Sequence, residues 1–296
     1  MKQYVIIGNG VAAAGCIEGI RSIDSEGVIT VVSAENHAVY CRPLISYYLE
    51  GKTDLQRMQY RSADFYEKMG CQVLYGKKAV KIDSTAKTVT LDDGAAVPYD
   101  SVCVATGSSP FVPPFAGLDT VEKKFSFMTI DDTLALEAAV DNSSRVLIVG
   151  AGLIGLKCAE GLRDRVASIT VCDLADRVLS SILDTECAAV MQKHLEENGI
   201  TFMLGDSAAS FEGNTALMKS GKTIEFDVLV LAVGVRANTA LVKDIGGEVN
   251  RGIIVNTRME TTVADVYAAG DCTEGEDISF GGRRVLAILP NAYMQG

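Results

Sequence analysis

The sequence predicts an α/β protein of two similar three-layer units, each built on a parallel sheet. Three observations carry that expectation. A segment reading as strand, glycine-rich turn and helix occurs twice, and a second β-branched strand follows each copy. The composition, 48% hydrophobic with 28 glycines over 296 residues, suits two buried cores joined by many tight turns.

The first copy is YVIIGNGVAAAGCIEGI at 4–20 and the second is VLIVGAGLIGLKCAEGL at 146–162. A constant offset superposes Gly8 on Gly150, Gly10 on Gly152, Cys16 on Cys158, Glu18 on Glu160 and Gly19 on Gly161. Alone, the opening residues also read as the leader of an exported lipoprotein, with a lysine, an apolar stretch and small residues ending at Cys16. A leader has no reason to recur in mid-chain, so the repeat selects the structural reading. GVITVVS follows the first helix and ASITVCD the second, which gives two βαβ units.

Such a unit is Rossmann-like, and its glycines have separate tasks. The first makes the tight turn and the second lets the backbone approach a pyrophosphate. The third position, Ala13 or Gly155, stays small for packing between helix and strand. The phosphates then meet the positive end of the helix. An acid about 20 residues downstream bonds a ribose hydroxyl. Asp173 ends the strand in ITVCD, and its charge favours NADH by repelling the 2′-phosphate of NADPH. Glu35 in VVSAEN is the counterpart in the first copy, either as a ribose ligand or as a solvated turn glutamate.

Charge and cysteine usage narrow the function. Lys and Arg total 27 against 38 Asp and Glu, and a net charge of −11 argues against nucleic acid or an anionic membrane as the main partner. The longest apolar run, around RVLIVGAGLIGLKC, is broken by glycines and falls short of the roughly 20 residues a spanning helix needs. A soluble cytoplasmic protein is expected. Eight cysteines, at 16, 41, 71, 103, 158, 172, 187 and 272, show neither CxxC nor CxxxxC spacing. They read as reduced, mostly buried thiols rather than a disulfide framework or zinc site. With only His37 and His194 as histidines, no metal site is expected.

Five motifs then occur in order: GNGVAA at 8–13, VCVATGSSP at 102–110, VGAGLIG at 149–155, LAVGVRAN at 231–238 and DVYAAGDC at 265–272. Together they resemble the FAD-dependent pyridine nucleotide-disulfide oxidoreductase superfamily over essentially the whole chain. The resemblance implies that Gly8, Gly10, Ala13, Glu35 and Val80 belong to an FAD site and that Ala105, Thr106 and Gly107 close over it. It assigns Gly150, Gly152, Ile154, Gly155, Asp173, Ala232, Val233 and Gly234 to an NADH site. Asp271 would contact the ribityl chain of FAD, with a helix cap as its structural alternative.

YCRPLISYYLEG at 40–51 sets the branch. It lacks the CxxxxC dithiol of the disulfide reductases and resembles the Arg-Pro motif of rubredoxin, ferredoxin and nitrite reductase NADH-binding flavoproteins. That likeness implies Arg42 and Pro43 beside the flavin or its pyrophosphate. Two positions depart from it. Tyr47 stands where the branch has a lysine near flavin N5, and Lys157 stands where it has the partnering glutamate. Either Lys157 supplies the missing cation from the other side, or it extends into solvent. Cys41 adjoins Arg42, which leaves open a thiol role like that of single-cysteine NADH oxidases and disulfide reductases.

The resemblance also orders the domains. FAD-binding Asp271 must return to the first unit, so the NADH domain, 116–244, is expected as an insertion in an FAD domain of 1–115 and 245–296. The Pro-rich 108–117 and Gly-rich 245–252 segments would be the crossings. The segment 77–94 alternates like a short meander or hairpin. LPNAYMQG at 289–296 resembles the start of the family's helix that points at the flavin. The C-terminal interface domain of family members, which supplies dimer contacts, is not expected among these residues. The implied activity is electron transfer from NADH through FAD to a rubredoxin-like or iron–sulfur carrier, or to a small acceptor. A non-catalytic NADH-binding sensor or complex subunit is the alternative from another class.

Overall fold

A computed structural model of the chain describes residues 1–279 and 281–296. In the first unit, β1 (Gln3–Ile7) leads through a glycine turn into α1 (Val11–Ile23) and back to β2 (Val28–Ser33). After α2 (Ile45–Leu49) come β3 (Cys71–Tyr75), the short strands β4 (Ala79–Asp83), β5 (Thr88–Leu91) and β6 (Ala96–Pro98), and β7 (Ser101–Val104). The parallel sheet runs Val266–Ala268, β7, β1, β2, β3. Strands β4 to β6 form the expected meander, all antiparallel.

The apolar runs of β1, β2 and β7 are buried on both faces, as a parallel sheet covered on both sides requires. Val5, Ile7, Val32, Val102 and Val104 point to one side, where Ile82, Val89 and Leu91 of the meander cover them. Ile6, Ile29, Val31 and Cys103 point to the other and meet Ala12, Ala13, Ala14 and Ile17 of α1. The alanines let the helix lie close to the sheet.

The second unit repeats this plan around a parallel sheet ordered Ile200–Leu204, Ser168–Asp173, Arg145–Val149, Val228–Leu231, Lys124–Phe125. Its helix is Leu153–Leu162, and its meander is Ala208–Glu212, Thr215–Met218 and Thr223–Glu225. Phe211, Ala216, Met218 and Phe226 cover Leu147, Val149, Leu229 and Leu231. The two units differ at one edge of the sheet: in the first the strand beyond β7 comes last in the chain, and in the second the strand beyond Val228–Leu231 comes first. The repeat read from two short motifs therefore extends to the parallel sheet, first helix and meander of each unit.

The chain divides into one unit of Met1–Cys41, Gln59–Ser109 and Arg236–Gly296 and another of Arg42–Met58 and Pro110–Val235. This division departs from the expected 1–115/245–296 and 116–244 in three places, the first being the outward crossing, at 109–110 rather than 115–116. The return crossing lies at 235–236 rather than 244–245, because Val235–Ala237 pairs with Ser108–Pro110 as a two-stranded ribbon where the chain passes between units. The segment 42–58 packs with the second unit. Its helix α2 buries Ile45, Ser46 and Leu49, and Gly161 of Leu153–Leu162 makes room for it. A Cβ on Gly161 would lie 3.1 Å from both the Leu49 Cβ and the Ser46 carbonyl oxygen.

Leu49 is 0% exposed, so Leu49→Ala should destabilise the protein by about 2–5 kcal/mol in urea unfolding, the range for a cavity left in a packed core. A cost within about 0.5 kcal/mol, the usual size of a surface substitution, would show that 42–58 is only a surface excursion.

Candidate functional site

The two glycine turns share one geometry. Gly8 has φ 110°, and a Cβ there would sit 2.1 Å from the Ala105 carbonyl oxygen. Gly150 has φ 119°, with the Ala232 carbonyl oxygen 2.2 Å from its notional Cβ. Both are left-handed conformations open to glycine alone in practice. The Gly8 N–H donates to Val32 O and the Gly150 N–H to Cys172 O, each at 2.8 Å. These bonds lock each turn to the second strand of its βαβ unit.

Gly10 and Gly152 are the N-caps of the two helices, and neither brings a side chain to accept from the first-turn N–H groups. A Cβ on either would meet nothing within 4 Å. Open space before uncapped N–H groups at the positive end of a helix fits a pyrophosphate. The third position behaves differently in the two copies. Ala13 is buried against the sheet, whereas a Cβ on Gly155 would lie 2.0 Å from the Gly150 carbonyl oxygen. Gly155 is small because of its own turn as much as because of helix–strand packing. Ile154 lies half-buried beside it.

Across from each glycine turn stands a second one. Ala105, Thr106 and Gly107 follow β7, and Ala232, Val233 and Gly234 follow Val228–Leu231; Gly107 (φ 61°) and Gly234 (φ 118°) are left-handed. Asn238 ties the first of these, a role the sequence reading missed. Its backbone N–H donates to Gly107 O (2.9 Å), its amide nitrogen to Thr106 O (2.8 Å), and its own carbonyl accepts the Thr106 hydroxyl (3.0 Å). The signal was available as the last letter of LAVGVRAN, but its partners lie far away in sequence.

Three acids were expected at ribose or ribityl positions. Asp173 accepts the Ala151 N–H at Oδ2 (2.6 Å) and the Ala175 N–H at Oδ1 (2.8 Å), so it braces the glycine turn and keeps one acceptor site on each oxygen. By strand register its counterpart in the first unit is Ser33, since Ile7 pairs with Val32 as Val149 does with Cys172. Glu35 lies two residues beyond, with its carboxylate accepting the Tyr40 hydroxyl at 2.7 Å. Asp271 follows Gly270, a left-handed residue (φ 84°) whose notional Cβ is 3.0 Å from Ala12 Cβ on α1. The chain continues into the strand Thr273–Asp277, not a helix, so the capping alternative for Asp271 falls away.

Arg42, Pro43 and Tyr47 lie in the second unit, with Lys157. Arg42 Nη1 donates to Met128 O at 3.0 Å, and Pro43 is exposed in the 3-10 turn Arg42–Leu44. The structure brings Tyr47 and Lys157 together: the ammonium lies 4.7 Å from the Tyr47 ring centroid and pairs with Glu160. Lys157 is partly exposed and is held by this ring contact and ion pair. Val80 on β4 is 49% exposed.

Cys41 is half-buried and ends the first stretch of the first unit. Burial pushes the thiols of Cys71 and Cys172 up to about 11 and about 12, and raises those of Cys158 and Cys272. Cys16 moves down through its hydrogen bond with Cys103. Among the described residues no group of three or more His, Cys, Asp or Glu could hold a metal ion, and no helix is long and apolar enough to cross a membrane.

Comparison with known proteins shows what the whole chain resembles. The nitrite reductase [NAD(P)H] of Bacillus subtilis (strain 168) is 37% identical over 285 residues, which cover 95% of this chain and 35% of that protein. The chain therefore spans about a third of the length of that curated relative. The nitric oxide reductase FlRd-NAD(+) reductase of Salmonella agona (strain SL483) is 31% identical over 280 residues, 92% of this chain and 73% of its own. Among solved structures, the covalent putidaredoxin reductase–putidaredoxin complex matches with a TM-score of 0.93 at 26% identity, over 99% of this chain and 73% of that one. The family described as pyridine nucleotide-disulphide oxidoreductase matches residues 2–296. A match that runs through both repeats and both crossings makes this chain a member of the pyridine nucleotide-disulphide oxidoreductase family.

Proposed function

We propose that this chain is the FAD- and NADH-binding part of a reductase that delivers electrons from NADH to a small redox protein. The observation that carries the proposal is the pair of glycine turns, each ending in an N-cap glycine with no side chain to cap the helix and with nothing within 4 Å of where a Cβ would stand. Bound FAD would supply the redox chemistry that links two-electron hydride transfer from NADH to one-electron delivery. The chain's task is to bind and orient, so no side-chain acid or base is required. The first-turn N–H groups of α1 and of Leu153–Leu162 hold the two pyrophosphates. Glu35 and Asp271 bond FAD hydroxyls, and Asp173 bonds the NADH ribose.

The small redox protein as acceptor rests on the relatives' own names, which include a FlRd-NAD(+) reductase and a putidaredoxin reductase held to putidaredoxin. The missing second cysteine near Arg42 supports electron transfer over dithiol chemistry.

Three measurements test this reading. The full-length protein should be yellow with one FAD per chain, and anaerobic NADH should bleach it far more readily than NADPH. Asp173→Ala should lose most of that preference and also raise KM for both coenzymes, since the Ala151 N–H loses its acceptor. Equal efficiency with NADPH in the unmodified protein would overturn the coenzyme assignment.

Cys41→Ser should leave NADH-to-dye electron transfer within a few-fold of the parent. A loss of orders of magnitude, or a charge-transfer band on reduction that the serine abolishes, would move the function to thiol chemistry.

Lys157→Met should lower the flavin midpoint potential, but by less than about 30 mV, or roughly 1.4 kcal/mol for a two-electron couple, because Glu160 already offsets the charge. An unchanged potential would restrict Lys157 to holding Tyr47.

A further inference from the structure

The C-terminal helix Leu289–Gln295 is fastened to both segments assigned to FAD in the first unit. At one of its turns the Tyr293 hydroxyl donates to Glu18 on α1. Glu18 also accepts Arg61 Nε at 2.6 Å and Nη2 at 3.1 Å, and the Arg61 guanidinium lies 5.3 Å from the Tyr293 ring centroid. Gly15 permits the close approach, since a Cβ there would stand 2.3 Å from the Tyr293 carbonyl oxygen. The helix is thereby pinned along α1, whose N-terminus carries the glycine turn.

At its last residue the helix reaches the other segment. Gln295 Oε1 accepts the Gly270 N–H at 2.8 Å, and the Thr273 hydroxyl lies 3.2 Å from the same oxygen. The Thr273 hydroxyl is also 2.8 Å from the Gly270 carbonyl. Because a backbone N–H can only donate, the amide must present its oxygen here. One side-chain oxygen thus gathers both flanks of the turn that carries Asp271. Gly270 is left-handed, and the turn closes on itself through the Thr273 N–H, which donates to the Gly270 carbonyl at 2.9 Å, so Gln295 braces from outside the one backbone N–H at its start.

We infer that Gln295 is a positioning residue for Asp271, holding the Gly270–Thr273 turn so that the carboxylate meets an FAD hydroxyl without Gln295 touching the cofactor. The inference rests on the reading of Asp271 as an FAD ligand. A merely structural role would weaken the helix and the whole protein alike. A positioning role acts only while Asp271 is present to be positioned.

The test is FAD affinity of the apoprotein, followed by quenching of FAD fluorescence in the full chain, together with the thermal midpoint of each variant. Gln295→Met keeps the length and removes the acceptor, and Gln295→Glu keeps an acceptor oxygen. Gln295→Met should weaken FAD binding about tenfold, as loss of one well-made hydrogen bond predicts, while Gln295→Glu stays within about threefold. In an Asp271→Ala background, Gln295→Met should change the affinity by less than about twofold, since contacting partners are non-additive. Equal weakening by Gln295→Met in both backgrounds, or none in either, would overturn the inference. Asp271→Ala with unchanged FAD affinity would instead overturn the reading of Asp271 on which it stands.

Discussion

The approach of a left-handed glycine to a strand-end carbonyl governs the architecture of both units. At Gly8 and Gly150 any side chain would collide with the carbonyl of Ala105 or Ala232. Because glycine allows the contact, the chain can leave the strand, bond its N–H back to the neighbouring strand and enter a helix with the first N–H groups unspent. The contact also joins strands on opposite sides of the switch in strand order. β2 lies on one side of β1 and β7 on the other. The strand order thus reverses at β1, the point at whose carboxyl end open α/β sheets bind their ligands.

What the sequence could show follows from the range of each interaction. The two βαβ units were legible because their signals are local: β-branched runs, glycines at fixed spacing and small residues on one helix face. The place of 42–58 was not legible, because it depends on Gly161 leaving room for Leu49 and Ser46 across more than a hundred residues. Asn238 and Gln295 were missed for the same reason. Amides are common, and only the fold shows that one clasps Thr106 and Gly107 and the other Gly270. Family resemblance supplied the site residues that geometry alone would have left unranked, Asp271 above all.

The repeat also carries a correspondence visible only in three dimensions. Glu18 and Glu160 occupy equivalent helix positions, and each pairs a cation that lies near a tyrosine ring. Glu18 takes Arg61 with Tyr60 and Tyr293, and Glu160 takes Lys157 with Tyr47. Both ion pairs are partly exposed, so their Coulomb energy is modest. Their effect is geometric. In the first unit the glutamate fixes the C-terminal helix on α1, and in the second it fixes α2 on Leu153–Leu162 through the Lys157–Tyr47 contact. The exchange of acid for base at Lys157 is therefore intelligible without reference to a cofactor: it gives this unit a cation for its repeated glutamate.

The units differ most where their scaffolds coincide. Ser33 and Asp173 end equivalent strands, yet Ser33 is buried and closes its own turn by donating to the Glu35 carbonyl oxygen at 2.7 Å. Asp173 instead reaches across to the glycine turn and retains acceptor capacity. The Ser33 hydroxyl spends its one proton on the backbone and carries no charge, so the nearest carboxylate in the first unit is that of Glu35, two residues on. The repeated scaffold thus keeps its glycine turn unchanged and varies what stands at a single strand end, a neutral hydroxyl in one unit and a carboxylate in the other.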